Sequence, residues 1–459
     1  MKIPTPPPNV ADLMARAGPL RLLELIQSGI GPTPKGDYLH WDKLRHLQAP
    51  PGYSVEEWWL AAKLARMALY RALPFTDKAG HPFRHTLPDL VLELLHRIDR
   101  AASSELRATE QIANRQTRDT YIIRSLMEEA ITSSQLEGAS TTHRIARDML
   151  REGRKPRTPG EQMIANNYRG MQFIRQYQRE GMTPGIIMEL HRILVADTHE
   201  DGAAAGRLRR ESDDIHVVDN RDGTILHTPP DARTLPERLD RLCRFANDGS
   251  PEPFLHPVIR AIILHFLFAY DHPFVDGNGR TARALFYWSM LRQGYWLAEY
   301  ISISRILRAA PAEYARAYLY TETDDGDISY FVVHQLRVML QALDDLHAHL
   351  ARHAREVHEI EDVLRDSPLL RDRLNHRQIT LLGHALRHPH AAYHIAGHRQ
   401  SHNITYETAR TDLLELAALN LLRKDRVGRA FVFRAPGDLA QQIKILREHS
   451  RPPHDTTPP

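Results

Sequence analysis

The sequence predicts a mainly α protein: a helical body interrupted by one β-hairpin and followed by a separate C-terminal piece. Three observations predict it. Apolar residues recur at helical spacing through most of residues 10–364. Period-two alternation is confined to Asp214–Val218 and Thr224–Thr228, on either side of Asp219-Asn-Arg-Asp-Gly223. After about Ser367 the charge shifts: residues 371–434 hold 11 Lys/Arg against 5 Asp/Glu, in a chain whose net charge is +3.

Each element has a local reason. Val10 to Gln27 is a short helical pattern between Pro-rich and Gly-rich pieces. Residues 55–72 and 85–102 have helical apolar spacing, the second after the turn-like Asp77-Lys-Ala-Gly80. A long pattern runs from about Ser104 to Leu136 and stops at Gly138, a good helix terminator. Residues 142–160 are basic and end in Pro156 and Pro159. Helices are expected again at Glu161–Gln178 and Pro184–Asp197, then the hairpin, which Pro229-Pro230 ends. Leu235–Asn247, Pro257–Ala269, Thr281–Gln293, Pro311–Thr321 and Ile328–Leu364 complete the body, the last with room for a break. No internal repeat is present.

Bulk properties exclude several classes. The 459 residues suffice for two or three domains, with 42% hydrophobic and 25% charged residues, as in soluble globular proteins. A single cysteine, Cys243, excludes an intramolecular disulfide framework and fits a reducing, cytoplasmic setting. The first residues lack the apolar run of a signal peptide, and no stretch reaches about 18 uninterrupted apolar residues, so no membrane span is expected. Neither a Gly-x-x-x-x-Gly-Lys-Ser/Thr nor a His-Glu-x-x-His motif occurs.

Residues 272–283, His-Pro-Phe-Val-Asp-Gly-Asn-Gly-Arg-Thr-Ala-Arg, carry the most chemistry. They follow an apolar helix that opens with Pro257 and is wide enough to be buried, so the loop after it is held firmly. Gly277-Asn278-Gly279 begins a second helix. Its glycines let bare N–H groups approach an anion, and the helix N-terminus adds unpaired donors and partial positive charge. Arg280 and Arg283 share a helix face, and arginine forks match phosphate oxygens. Asp276 is a hard oxygen ligand suited to Mg²⁺ beside a polyphosphate. His272 can accept a proton near neutral pH, and Phe274 is expected to point inward and pin the loop. His81-Pro82-Phe83 repeats the first three letters with no Gly-Asn-Gly-Arg behind it, and is read as a loop before a helix.

This stretch resembles the Fic family motif, His-Pro-Phe-x-Asp/Glu-Gly-Asn-Gly/Lys-Arg-x-x-Arg, at every specified position. The resemblance covers roughly residues 105–345, and the segment before it, with His40-Trp41 and Trp58-Trp59, looks like the N-terminal extension of bacterial Fic proteins. It implies a Fic-type helical bundle and a protein adenylyltransferase that moves AMP from ATP to a Ser, Thr or Tyr hydroxyl of a target protein. His272 would be the base and Asp276 would hold Mg²⁺. Gly277, Asn278, Gly279, Arg280, Thr281 and Arg283 would bind the nucleotide, with Arg280 on the inner phosphates and Arg283 on the γ-phosphate.

Ser133, Glu137 and Gly138 match the family's inhibitory Ser/Thr-x-x-x-Glu-Gly/Asn helix, in the arrangement called class II. Ser133 and Glu137 share a helix face, and the carboxylate is suited to occupy Arg283. The same glutamate supports removal of AMP in some relatives, and that role stays open. Within the hairpin, Ile215, His216 and Val217 are the candidate flap, whose free edge would dock an extended target segment. Tyr314 and Tyr318, one helical turn apart, suit either an adenine wall or the core.

The C-terminal piece reads as helix Arg377–Arg387, a second helix near Tyr393, helix 405–417, a basic turn Arg423–Arg429 and a strand Ala430–Phe433. It resembles a winged helix-turn-helix. Tyr406, Arg410 and Thr411 would face a DNA groove, with Arg423, Lys424, Arg426 and Arg429 on phosphates; dimerisation or target docking is the equal alternative. His384, His388 and His390 lack a second ligand group for zinc. The expected domains are 1–103 (helical extension), 104–366 (catalytic, with the inhibitory helix), 367–436 (winged helix) and 437–459 (tail). Expected partners are ATP, a hydroxyl-bearing protein, a second copy through auto-AMPylation or dimerisation, and DNA; none is a membrane. The rival function is a DNA-binding regulator whose Fic domain senses a nucleotide. UMP or another phosphate-linked group stays open as the moiety transferred.

Overall fold

The computed structural model describes residues 2–101, 115–198, 204–219, 221–247, 253–366, 373–389, 391–402, 404–427 and 430–449. The expected helix start at Ser104, the junction at 366/367, His390, Arg429 and the tail Arg451–Pro459 lie outside them. The chain divides into two compact units, one of residues 1–104 and 122–343 and one of residues 105–121 and 344–459. The protein is mainly α, as the periodicity predicts.

In the first unit, helices α1 (Val10–Gln27), α2 (Trp41–Leu44) and α3 (Val55–Met67) come first. Gly18, at φ 71°, and Pro19 kink α1. Ser54 and Glu57 form a reciprocal capping box that starts α3. Next is a hairpin that the sequence reading missed: β1 (Arg71–Thr76) pairs antiparallel with β2 (Pro82–His85) around Asp77–Gly80. The second His-Pro-Phe triplet is therefore partly strand, not loop. Phe83 is buried and meets Phe266 and Tyr270 edge-on, at 5.6 and 5.0 Å between ring centroids. The strands are four to six residues long and their alternation is broken by a register shift, which hid them from a period-two search.

Helices α4 (Asp89–Arg100), α5 (Arg115–Leu136), α6 (His143–Glu152), α7 (Pro159–Tyr177) and α8 (Pro184–Val195) follow. α6 lies in the stretch read only as basic; Thr142 caps its start and Gly153, in the left-handed region, its end. The flap hairpin is shorter than the alternation suggested: β3 is Val217–Val218 and β4 is Ile225–His227. Ile215 and His216 lie outside the strand, because Asp214 turns the chain at φ 43° just before them.

The body closes with α9 (Leu235–Asn247), α10 (Pro257–Asp271), α11 (Asn278–Arg292), α12 (Ile303–Ala309), α13 (Pro311–Thr323) and α14 (Ser329–Asp366). α14 is a single helix, without the break that the sequence left open, and its residues from Asp344 on belong to the second unit. α10 is almost wholly buried, from Val258 to Phe268, so the loop that leaves it starts from a fixed point.

The second unit contains α15 (His376–Arg387), β5 (Ala392–Tyr393), α16 (Ile395–His402), α17 (Tyr406–Ala418), β6 (Arg423–Val427), β7 (Ala430–Arg434) and α18 (Leu439–His449). Tyr393 is in a strand, and the helix expected near it begins at Ile395. The basic turn is largely a strand, and β5-β7-β6 form one antiparallel sheet. Residues read as the start of a tail form α18, which buries Leu439 and Ile443 against Leu413, Leu416 and Phe433.

Candidate functional site

The His272–Arg283 segment links the two most buried helices of the first unit. α10 ends where His272 turns left-handed, at φ 45°. That conformation costs energy in a residue with a side chain, and persists only where its surroundings impose it. They do so through the carbonyls of four successive residues. Tyr270 O accepts from His227 Nε2 at 2.8 Å. Arg209 donates to Asp271 O and His272 O at 3.4 and 2.8 Å, and its own N–H meets Pro273 O at 2.8 Å. Asn278 closes the loop from the other side, Oδ1 accepting from Phe274 N at 2.9 Å and Nδ2 donating to Phe274 O at 2.8 Å.

His272 Nδ1 lies 3.3 Å from Ala269 O, so Nδ1 carries the proton and Nε2 keeps its lone pair. Burial pushes the pKa of His272 down to about 4, so the imidazole is neutral at physiological pH.

Asn278 and Thr281 are committed to structure rather than presented to a ligand: the Thr281 hydroxyl donates to Gly277 O at 2.9 Å. Gly277, at φ 78°, would place a Cβ 2.9 Å from Val195 Cγ1, so it allows the turn and the close packing on α8 together. Arg280 is fully buried, donating to Leu194 O at 2.9 Å and to Asp276 Oδ2 at 3.0 Å, while its Nε makes no hydrogen bond. Burial pulls its pKa below the ordinary value. The Asp276 side chain is 46% exposed. No group of three or more His, Cys, Asp or Glu with metal-binding spacing occurs among the described residues.

Arg283 decides the state of the site. Its Nε donates to Ser133 Oγ at 2.9 Å, and its Nη2 to Ser133 O at 3.1 Å and Glu137 Oε1 at 2.7 Å. Nη1 is buried without a hydrogen bond. Burial opposes the charge, yet Glu137 holds the guanidinium above its ordinary pKa. Glu137 lies just past the last residue of α5, and Gly138 follows at φ 99°. A Cβ on Gly279 would fall 2.1 Å from Glu137 Oε1 and 3.1 Å from Arg283 Nη1. Only a glycine leaves room there, and the carboxylate sits where an anion would meet the start of α11.

Sequence reasoning missed the residues that set this geometry. Besides Arg209, buried His191 accepts from Gly206 N on Nδ1 at 2.9 Å, so its Nε2 is the N–H that donates to Asp276 O, also at 2.9 Å. Its ring stacks on Phe274 at 3.7 Å, which holds Phe274 inward as expected. Asp271 pairs with Arg238 at 2.8 Å. None of these has a motif of its own. A buried histidine, arginine or aspartate in a helical body was the available signal.

Tyr314 Oη lies 2.8 Å from His265 Nε2 and 3.1 Å from Tyr318 Oη, a chain packed on Phe331. In the flap, Val218 and Ile225 are the exposed apolar residues, and His216 is held by Thr228 and Asp214. In the second unit Tyr406, Arg410 and Thr411 are all exposed on α17, with Arg410 3.3 Å from Glu407.

Residues 181–290 match the Fic/DOC family. This part of the chain is a Fic/DOC domain. The chain is 30% identical over 171 residues to a protein adenylyltransferase Fic of Nematostella vectensis, covering 36% of this chain and 37% of that protein. It is 33% identical over 136 residues to the protein adenylyltransferase Fic of Drosophila melanogaster, 28% of this chain and 25% of that one. The chain thus spans a quarter to little more than a third of the length of these relatives. The crystal structure of a Fic family protein from Desulfovibrio desulfuricans G20 superposes with a TM-score of 0.50 at 17% identity, over 79% of this chain and 99% of that one. This likeness shows that the Fic fold extends beyond the matched motif region.

Proposed function

We propose that this chain is an auto-inhibited protein adenylyltransferase. The observation that carries the reading is Arg283: a buried guanidinium in the second turn of a helix, over the bare Gly279 of its first turn, with one nitrogen unbonded and another held by a partly exposed carboxylate. Such a group is built for an anion. ATP would place its phosphates along Gly277 to Arg283. The hydroxyl of the target would give its proton to His272 Nε2 and bond to the α-phosphorus, while the α–β phosphoanhydride bond breaks and pyrophosphate leaves. The histidine is neutral, as a base must be, and the fixed donors serve the charge of the leaving phosphates.

Asp276 fits Mg²⁺. With no protein cage among the described residues, one exposed carboxylate plus phosphate oxygens and water is the donor set that this ion takes. The metal would neutralise phosphate charge. Glu137 is the brake, and Arg283 cannot serve a γ-phosphate while it is paired. Whether Glu137 also directs water for AMP removal is a further part of this reading. The reading implies a cytoplasmic setting with ATP; no described helix is long and apolar enough to cross a membrane.

A second reading concerns residues 373–449. The order helix, strand, helix, helix, hairpin, with Tyr406, Arg410 and Thr411 exposed on α17 and with exposed Arg423, Lys424 and Arg426, supports a winged helix-turn-helix that binds DNA. Domains of 1–103, 104–366 and 367–436 would follow, with α18 added to the last. The first reading is tested by intact-mass detection of an added AMP on the Glu137→Gly protein with Mg-ATP. The second is tested by a gel shift: it is supported if Arg410→Ala removes the shift, and loses if no duplex is retarded at low salt.

A further inference from the structure

β4 contributes more than an edge. Its last residue, His227, is 8% exposed and has both ring nitrogens bonded. Nε2 meets the carbonyl of Tyr270 at 2.8 Å, and Nδ1 meets Glu322 Oε2, on α13, at 2.9 Å. A carbonyl only accepts, so Nε2 is an N–H; the second bond needs one more proton, shared between the ring and the carboxylate. The His227 ring also lies against the Tyr270 ring at 4.7 Å.

The placement matters because of what stands on either side. Tyr270 is two residues before His272, and its carbonyl belongs to the last turn of α10, where no helical partner is available. Across the hairpin, His227 pairs with Val217, beside the exposed Val218 and Ile225. One side chain therefore links the edge offered to a target, the end of the helix that carries the base, and α13. An apolar replacement would leave the Tyr270 carbonyl without this buried partner, and the half-buried Glu322 carboxylate without its bond.

We propose that His227 is a positioning residue for the transfer, its ring oriented by Glu322: it locks the flap strand to the Tyr270 carbonyl and so holds the docked hydroxyl in register with His272. This rests on the adenylyltransferase reading above. Neither residue touches the region of Gly277 to Arg283, so ATP binding does not depend on them.

Two near-isosteres separate the bonds. In His227→Gln the amide nitrogen replaces Nε2 and keeps the Tyr270 bond; in His227→Asn it replaces Nδ1 and keeps only the Glu322 bond. Both are made in the Glu137→Gly background and read by single-turnover auto-modification, ATP affinity by calorimetry, and thermal melting. The expected result is a rate loss of about tenfold or more for Asn, about threefold or less for Gln, and unchanged ATP affinity in both. Equal rates for Gln and Asn overturn the proposal, as does a loss that tracks melting temperature and ATP affinity. Should the Asn protein not fold, His227→Met, which fills the space without a donor, takes its place against His227→Gln, with Met slow and Gln near parental; equal rates there also overturn it. A Glu137→Gly parent that transfers no AMP refutes the function itself, an outcome distinct from failure of the lock.

Discussion

Each compact unit contains an arginine–carboxylate pair, and the two are built to opposite ends. In the second unit Asp412 is 4% exposed and saturated: Arg377 reaches both of its oxygens at 2.8 and 3.0 Å, His398 lies at 3.0 Å and Asn375 donates at 2.7 Å. It ties α17 to α15 and α16. In the first unit Glu137 is 31% exposed, sits just past the end of its helix and is bonded to Arg283 through one oxygen at 2.7 Å. There it is the arginine that is buried. The carboxylate that ties three elements together is enclosed; the one proposed to be displaced keeps access to water, with its partner fixed by further bonds.

The comparison breaks most visibly at Asp412. Asp412→Ala leaves buried His398, with Asn375 and Arg377, without their shared acceptor and should cost about 2 kcal/mol in denaturant unfolding of the second unit. A change under about 0.5 kcal/mol would mean that the saturated pair is not structural. Glu137→Gly should do the reverse, raising auto-AMPylation on the order of tenfold to a hundredfold with little change in melting. Glu137→Gln keeps one weaker bond to Arg283, and an activation of roughly threefold, well short of the Gly variant, is expected from initial rates. The smallest effect is in pH. Burial holds His272 at about 4, and its neutral form is the active one, so transfer by Glu137→Gly should stay level from neutral pH and fall only as pH drops through about 4. A decline already near pH 6.5 would show an imidazole that burial has not shifted.

What the sequence made legible follows the same division. α9 was read with its bounds, and α10 and α11 to within about three residues, because long apolar periodicity with Pro257 and Gly277 as punctuation leaves few alternatives. The His272–Arg283 loop was readable because its residue types answer phosphate chemistry, whereas Ser133 and Glu137 stood out only through their resemblance to the family's inhibitory helix. The β1–β2 hairpin and β5 were not: two to six residues with a register shift carry too little alternation. Nor were Arg209, His191 and His227. Their function is to satisfy backbone carbonyls and turns 15 to 85 residues away in the chain, and a buried polar residue looks the same in sequence whatever it holds. The side chains of Asn278 and Thr281 shape the loop, which leaves the backbone N–H groups as the donors that the sequence reading assigned to an anion.

The most direct measurement is auto-labelling with α-³²P-ATP and Mg²⁺ of wild type, Glu137→Gly, and Glu137→Gly with His272→Ala. The account predicts weak labelling of the wild type, strong labelling of the single variant, and a loss of roughly a thousandfold in the double variant while ATP still binds. Equal labelling of wild type and Glu137→Gly would contradict the brake, and undiminished labelling of the double variant would contradict His272 as the base.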